Sequence, residues 1–334
     1  MNKPELLAPC GNAKTLKAAV QAGADAVYLG AGKFSARAFA GNFDGNELDK
    51  AIEYAAAANV KVYLAINTLM TDRELSDAVA LVGQAYRAGA AAFIVQDLGL
   101  AQLIKQNHPD ATLHASTQMT AQSLEDVVTL GKLGFKRIVV ARELSRSQIR
   151  HITTNTDVEL EVFVHGALCS SYSGQCLMSS FIGGRSANRG KCAQPCRLPY
   201  KAVNAKELDS RSTNNITATS KNAHQSRSTH PSKSGVLLSL KDLCLIDYIA
   251  ELGSIGVASL KIEGRMKGED YVKAVVEAYR HVLDGNVLSK KQKTTMLSVF
   301  NRGGYTDGYY TGNKADMYME TLKNPYRKGK NNAK

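Results

Sequence analysis

The residues of this chain best suited to chemistry are four cysteines that lie close together in the sequence. Cys169, Cys176, Cys192 and Cys196 follow the spacing C-x6-C-x15-C-x3-C. A thiolate is a soft ligand, and four thiolates meet the coordination needs of a 4Fe-4S cluster or of a structural zinc ion. The spacing therefore predicts a metal centre.

The spacing favours an iron-sulfur cluster over zinc. Zinc sites usually contain two close cysteine pairs, whereas Cys169 and Cys176 are separated by six residues. Cys244 is an alternative to Cys196 as the fourth ligand, so the sequence leaves that choice open. We expect Cys10, after the first predicted strand, to be a small buried residue.

Composition and charge limit the class of protein. The chain has 334 residues, of which 44% are hydrophobic, enough for a sizeable core. It shows no amino-terminal signal pattern and no apolar run of the ~18 residues that a membrane span needs. We therefore expect a cytoplasmic protein without membrane association, and clustered cysteines in that reducing compartment more often bind metals or catalyse reactions than form disulfides.

The net charge of +12 makes a polyanion such as RNA a plausible partner. Part of the excess lies in the carboxyl-terminal tail, where it is equally consistent with a solvated chain end. The tail residues concerned are Lys323, Arg327, Lys328, Lys330 and Lys334.

Short apolar runs alternate with segments of helical period along most of the chain, which is the pattern of β/α units. The predicted strands are Glu5–Pro9, Ala26–Gly30, Lys61–Asn67, Ala91–Asp97, Thr112–Gln118, Arg137–Glu143, Leu160–Gly166 and Val257–Glu263. The predicted helices include Ala13–Ala22, Asn46–Ala58, Arg73–Ala88, Ser123–Leu133 and Leu240–Leu252. Eight such units predict an α/β protein with a TIM (β/α)8 barrel.

Two segments depart from this pattern. Asp209–Gly235 is rich in Ser, Thr, Asn and Lys and predicts a disordered surface insertion; an RNA-contacting arm is the less favoured interpretation. After Gly285 the chain predicts a basic, Tyr-rich and turn-rich extension, whose tyrosines we expect to pack on the barrel. The predicted organisation is a barrel over residues 1–285, with a cysteine-rich segment at 165–200 and the insertion at 209–235, followed by the extension at 286–334.

Polar residues at the carboxyl ends of the predicted strands mark a candidate active site, because TIM-barrel sites form there. Guanidinium groups match planar anions, so Arg37, Arg142 and Arg265 suit a carboxylate or a phosphate. His114 lies near Ser116, but the chain has no nucleophile elbow of a hydrolase. The strand-end residues are Cys10, Arg37, Asn67, Gln96, Asp97, His114, Ser116, Gln118, Arg142, Glu143, His165, Glu263 and Arg265.

Several long motifs resemble peptidase family U32, the collagenase-like proteases. They are EVFVHGALCSSYSGQCLMSS at 161–180, ELLAPCGNAKTLKAAVQAGADAVYLG at 5–30, NRGKCAQPCRLPY at 188–200, SLKDLC and SLKIEGRMK. The resemblance covers about residues 1–285. It implies an iron-sulfur protein that supports prephenate-dependent hydroxylation of RNA, at a tRNA wobble uridine or a 23S rRNA cytidine. Related members serve ubiquinone hydroxylation, and the presence of Cys196 favours the RNA branches.

Three functional hypotheses follow. The first is an iron-sulfur RNA hydroxylase with a 4Fe-4S cluster on the four cysteines and prephenate as a small anionic co-substrate. The second is a peptidase, which lacks a free thiol nucleophile beside a base in the cysteine run. The third is a non-catalytic accessory subunit that binds a protein partner. For the first, the hypothetical catalytic residues are His165, Glu263 and Arg265, and the substrate-binding residues are Arg37, Asn67, His114, Gln118 and Arg142.

Overall fold

The centre of the molecule is a closed barrel of eight parallel strands. A computed structural model describes residues 3–32, 34–37, 41–201 and 234–319. The strands are β1 Glu5–Pro9, β2 Ala26–Gly30, β3 Lys61–Ile66, β4 Ala92–Val95, β5 Leu113–Ala115, β6 Arg137–Val139, β7 Glu159–Gly166, β8 Tyr200–Lys201, β9 Ser234–Gly235, β10 Asp242–Cys244, β11 Ser259–Ile262 and β12 Tyr305–Thr306. β1 to β7 follow one another round the barrel, and β11 closes it by pairing with both β7 and β1. The predicted TIM barrel is confirmed.

Helices follow most of the barrel strands and also occur in the cysteine-rich segment and in the extension. They are α1 Ala13–Gln21, α2 Asn46–Ala57, α3 Asp72–Ala88, α4 Leu98–Asn107, α5 Leu124–Lys132, α6 Arg146–Thr154, α7 Met178–Gly183, α8 Ile249–Ser254, α9 Glu269–Leu283, α10 Lys290–Ser298 and α11 Gly308–Thr311. Four of the predicted helices, α1, α2, α3 and α5, are confirmed to within one residue at each end. Capping boxes such as that of Ser123 and Asp126 fix several amino-terminal ends. No helix in the described ranges is long and apolar enough to cross a membrane.

The helix predicted over Leu240–Leu252 is wrong in its first half. Asp242–Cys244 forms β10, which pairs antiparallel with the end of β7, and the helix α8 begins only at Ile249. The reason lies in β7, which extends beyond the end of β6. Val164 O of β7 accepts from Leu245 N, whereas the next carbonyl, His165 O, accepts from Glu263 N. β10 therefore takes the edge of β7 that β6 leaves unpaired.

Below the mouth, the lumen of the barrel holds a layer of buried charges. Arg137 Nη1 lies 2.6 Å from Glu5 Oε1, and Lys261 Nζ lies 2.6 Å from Glu161 Oε1. Glu161 is fully buried and Lys261 nearly so. Burial on its own raises the pKa of Glu5, but Arg137 outweighs it and the pKa is lowered. Buried charges of this kind need partners of opposite charge, because an unpaired buried charge is strongly destabilising.

The carboxyl-terminal extension packs on the barrel over its described part, residues 286–319. It contains α10, which the sequence did not predict, and β12, which pairs with β10. Tyr310 is buried and Tyr305 packs against His165 with ring centroids 5.2 Å apart, so the expected packing of the tyrosines is confirmed at these two positions. The predicted insertion lies outside the described residues except for Ser234 and Gly235, and so does the basic tail.

Candidate functional site

A cavity of about 270 Å³ opens at the carboxyl ends of the barrel strands. Its base is formed by side chains from the barrel, among them Tyr28, Phe163 and Lys261, and its rim by the cysteine-rich segment. This is the end at which TIM-barrel active sites form. The cavity therefore lies where the sequence predicts the site.

Three arginines surround one carboxylate in this cavity. Glu263 Oε2 accepts hydrogen bonds from Arg37 Nη2 at 3.0 Å and from Arg142 Nη2 at 3.1 Å. Arg265 donates to Ser35 Oγ and lines the same cavity. Arg142 also lies over the ring of Phe163, with its guanidinium carbon 4.1 Å from the ring centroid. These four charged groups, which we call the arginine cluster, carry three positive charges against one negative.

The charges of the arginine cluster shift one another's pKa. Burial by itself raises the pKa of Glu263, but Arg37, Arg142 and Arg265 outweigh it and lower the pKa to about 2. Burial, together with the positive charge of Arg37, lowers the pKa of Arg265 to about 10. Among the described residues, Arg142 Nε and Arg265 Nη1 are buried without a hydrogen-bond partner. Because the cluster carries a net positive charge and lines the cavity, it is chemically suited to an anion bound there.

Asn67 and Gln118 join the loops that carry the cluster. Asn67 Oδ1 accepts from Ala36 N at 3.0 Å, which fixes the loop beside Arg37. Gln118 Nε2 donates to Asn67 O at 2.8 Å, and Asn67 Nδ2 lies 3.4 Å from Ser116 Oγ. Both predicted residues therefore line the cavity, and their described bonds hold its wall in place.

All four cysteines of the run line this cavity. The pKa of the Cys192 thiol is raised by burial and further by the thiols of Cys196, Cys176 and Cys169, which lie within electrostatic range of it. Within the described parts of the chain, no three His, Cys, Asp or Glu side chains already stand together as a metal-binding group. The donor set and the shared cavity fit a cluster of soft-ligand type, and binding it would draw the thiols closer together.

The cysteine-rich segment is tied to the barrel at several points. Gly174 crosses Gln118 so closely that a Cβ on Gly174 would lie 2.4 Å from Gln118 O. Ser173 N and Oγ both donate to Glu143 Oε1 at 3.1 Å. Arg197 donates to Leu168 O at 2.5 Å and to Leu240 O at 2.6 Å. The segment is therefore held over the cavity by barrel contacts.

The expected position of His165 at the mouth is wrong. Along β7 the alternation puts Glu161 and Phe163 toward the lumen, but the pairing with β11 runs from Phe163↔Lys261 to His165↔Ile262. A bulge of this kind inserts one residue and reverses the side-chain alternation beyond it. His165 consequently points outward, with Nδ1 3.3 Å from Tyr279 OH. Burial lowers its pKa to about 3.

Six other residues singled out in the sequence also lie outside the lining of the cavity, among them Gln96, Asp97 and Glu143. His114 is buried in the lower lumen beside Tyr63, with ring centroids 4.8 Å apart, and burial lowers its pKa, with Arg137 and Lys261 adding to the effect. Cys244 Sγ lies 4.0 Å from Tyr279 OH, outside the cavity. Cys10 is fully buried in the hydrophobic core, as expected.

The cavity also contains basic residues that the sequence did not single out. Lys267 and Arg302 both line it. Arg302 comes from the extension and pairs with Asp242 at 3.2 Å. Burial lowers the pKa of Lys267 to about 8, with Arg302 contributing. The motif SLKIEGRMK already contained Lys267, whereas nothing in the local sequence connects Arg302 with the site.

Comparisons with known proteins agree with this architecture. The sequence model of peptidase family U32 matches residues 11–320. The chain is 41% identical over 283 residues to the 23S rRNA 5-hydroxycytidine C2501 synthase of Escherichia coli, covering 84% of this chain and 39% of that protein. It is 31% identical over 348 residues to the tRNA hydroxylation protein P of Escherichia coli, covering 96% of this chain and 77% of that protein.

A third relative has a different described activity. The collagenase of Porphyromonas gingivalis is 32% identical over 333 residues, covering 94% of this chain and 75% of that protein. The chain thus spans about two fifths of the length of the rRNA synthase and about three quarters of the lengths of the other two relatives. With a match over nearly its whole length, the chain belongs to peptidase family U32.

Proposed function

We propose that this chain is a cytoplasmic iron-sulfur protein that supports the hydroxylation of RNA, at a tRNA uridine or a 23S rRNA cytidine. Two relatives at 31% and 41% identity are named for RNA hydroxylation. The chain's positive charge of +12 suits a polyanionic substrate.

One observation carries this proposal, which is that the four thiols and the arginine cluster line the same cavity. A redox-active metal group beside an anion-binding site suits the oxidation of a bound substrate. It does not by itself suit peptide hydrolysis, since the described lining of the cavity contains no histidine that could serve as a base for a thiol or hydroxyl nucleophile.

The ligands in this proposal are Cys169, Cys176, Cys192 and Cys196. Cys196 faces the cavity with the other three, and Cys244 does not, which favours Cys196 as the fourth ligand. A 4Fe-4S cluster at this position would supply electron transfer or Lewis acidity next to the bound substrate. The protein contributes the enclosing cavity and the placement of the substrate.

The arginine cluster binds the small anionic co-substrate, for which prephenate is the candidate. Arg37, Arg142 and Arg265 line the cavity, and guanidinium groups bind carboxylates through paired hydrogen bonds. Glu263 holds Arg37 and Arg142 in position, and its low pKa keeps it negatively charged at neutral pH. Glu263 is thus a positioning residue in this scheme.

Mass spectrometry of tRNA and rRNA nucleosides from a deletion strain tests the proposal. We expect one hydroxylated nucleoside to disappear and to return when the wild-type gene is supplied. Cys176→Ser and Arg142→Ala should fail to restore it, whereas Cys244→Ser should restore it. An unchanged nucleoside profile, together with gelatin cleavage by anaerobically purified protein that Arg142→Ala abolishes, would favour the peptidase instead.

A further inference from the structure

A set of exposed apolar side chains in the cysteine-rich segment adjoins the cavity. We call it the outer rim, and it consists of Tyr172, Leu177, Phe181 and Ile182, which are 61%, 55%, 86% and 65% exposed. Tyr172 itself lines the cavity, and so does Met178, the first residue of α7. Phe181 lies on the same helix, three residues further on. The outer rim therefore continues outward from the cavity mouth.

The orientation of α7 is fixed by contacts on its other side. Ser179 is buried, and its Oγ accepts a 2.9 Å hydrogen bond from Ala193 N in the loop between Cys192 and Cys196. Arg185 N donates to Ser179 O at 3.2 Å, which ends the helix. Because Ser179 faces the protein, Phe181, two residues further on and nearly opposite on the helix, points to the solvent.

The cysteine-rich segment itself carries only basic charges, although Glu143 and Glu74 of the barrel contact it at Ser173 and Arg189. Residues 165–201 contain no Asp or Glu, and their basic residues are Arg185, Arg189, Lys191, Arg197 and Lys201. Arg185 and Lys191 are exposed, and Arg185 Nε donates to Lys191 O at 3.0 Å, which keeps the two residues together. Exposed aromatic rings beside basic side chains are the features with which proteins bind single-stranded nucleic acid.

We propose that the outer rim binds unpaired bases of a single-stranded RNA segment that flank the nucleotide entering the cavity. Tyr172 and Phe181 stack on these bases, and Arg185 and Lys191 contact the phosphates between them. This inference rests on the proposed function, since it names the surface by which that function's RNA is held. It predicts that the substrate is recognised in a loop or an unpaired region, because bases in a duplex cannot stack on a protein side chain.

Exposed aromatic rings together with the exposed Arg185 and Lys191 favour RNA over a protein partner as the occupant. A protein interface centred on Phe181 would require only apolar area, and leucine would serve it as well as phenylalanine. Base stacking requires an aromatic face, which tyrosine preserves and leucine does not. The two occupants therefore respond differently to substitution at this one position.

Binding of a fluorescein-labelled 12-nucleotide single-stranded RNA to the 334-residue chain, followed by fluorescence anisotropy, tests the inference. Phe181→Ala and Tyr172→Ala should each raise the Kd by about 5- to 100-fold. Phe181→Tyr should bind like the wild type, and Phe181→Leu like Phe181→Ala. Arg185→Ala and Lys191→Ala should each reduce the slope of log K against log salt by about 0.7. Tyr54→Ala, at an exposed aromatic residue of α2, is the matched control and should change nothing.

Three results would overturn the inference. They are an unchanged Kd in Phe181→Ala, equal affinity of Phe181→Leu and wild type, and equally tight binding of the same RNA as a duplex. The outcome is separable from that of the proposed function, because binding is measured without hydroxylation. Loss of the modified nucleoside in the deletion strain with normal binding by Phe181→Ala would leave the proposed function standing and remove this inference. Weaker binding by Phe181→Ala together with an unchanged nucleoside profile in the deletion strain would leave this inference standing and remove the proposed function.

Discussion

Arg142 donates a 3.1 Å hydrogen bond to Glu263 across the mouth of the barrel, joining the segments that follow β6 and β11. Their side chains are only 10% and 11% exposed, so both charges have lost most of their hydration. Arg37 reaches the same carboxylate oxygen. One acidic residue thus holds together cationic groups that would otherwise repel one another.

Glu263→Gln should destabilise the protein by about 3 kcal/mol at pH 7, because it leaves buried guanidinium groups without their counter-charge. Urea unfolding measures this loss. The control is Glu251→Gln, since Glu251 pairs with Arg146 and Arg150 at 3.2 Å on the surface, where such pairs contribute less than about 1 kcal/mol. Equal losses in the two variants would contradict the assignment of Glu263 as the centre of the cluster.

The stability of the wild type and that of Glu263→Gln should depend differently on pH. The pKa of Glu263 falls from an ordinary 4.5 to about 2 in the folded protein. A carboxyl group with a lowered pKa stabilises the fold above its unfolded pKa, and this contribution is lost as the pH falls toward the folded value. The stability difference between wild type and Glu263→Gln should therefore be constant above pH 5 and shrink between about pH 4.5 and pH 2. A difference that does not depend on pH would contradict the charged state of Glu263.

Serine variants of the cysteines should separate cluster ligands from bystanders. In anaerobically purified protein, Cys169→Ser, Cys176→Ser, Cys192→Ser and Cys196→Ser should each lose iron and the visible absorption of an iron-sulfur cluster. Cys244→Ser is the matched control and should keep both, because Cys244 lies beside Tyr279 and not in the cavity. Iron retained in Cys196→Ser but lost in Cys244→Ser would reverse the choice of the fourth ligand.

Arg302→Ala should show how strongly the extension is bound to the barrel. Asp242 is 1% exposed, and burial raises its pKa while Arg302 opposes that rise. Without Arg302 the buried carboxylate loses its partner, so we expect a loss of about 1–3 kcal/mol at pH 7. A raised carboxyl pKa makes stability increase as the pH falls through it, so part of this loss should be recovered as the pH is lowered from 7 through the pKa of Asp242. Arg146→Ala, on the surface, should show neither effect.

Gly174→Ala should weaken the contact between the cysteine-rich segment and the barrel. Gly174 has a φ of 77°, and a Cβ there would lie 2.4 Å from Gln118 O. We expect reduced iron content and a lower Tm, measured on protein purified in the same way as the wild type. Gly183→Ala is the control, because its Cβ would meet nothing within 4 Å. Similar iron content in the two alanine variants would show that the crossing at Gln118 is not required.

The barrel was predictable because its strands are short apolar runs separated by amphipathic helices, and local patterns of this kind do not depend on distant residues. The arginine cluster was predictable for a related reason, since strand ends in a barrel converge. The position of His165 was not predictable, because it depends on one extra residue opposite Ile262, and a strand pattern read in steps of two contains no sign of a bulge. β10 was missed because DLC has no strand period of its own and pairs only where β7 offers a free edge.

Arg302 could not have been assigned from sequence either. It lies 60 residues from Asp242 along the chain, and only the packing of the extension brings the two together. The outer rim was not predicted from the sequence for the opposite reason. Its residues lie inside the recognised cysteine motif, but their exposure is a property of the folded segment.

The guanidinium of Arg197 has a thermodynamic consequence for the cysteine run. Arg197 follows Cys196 directly, and Leu168, whose carbonyl it binds, precedes Cys169 directly. The chain next to the first cysteine is therefore tied to the chain next to the last one, and the polypeptide itself meets the entropic cost of closing this long loop. Insertion of the proposed cluster would then require only local movement of the thiols, so an apoprotein should accept iron and sulfide without refolding its barrel.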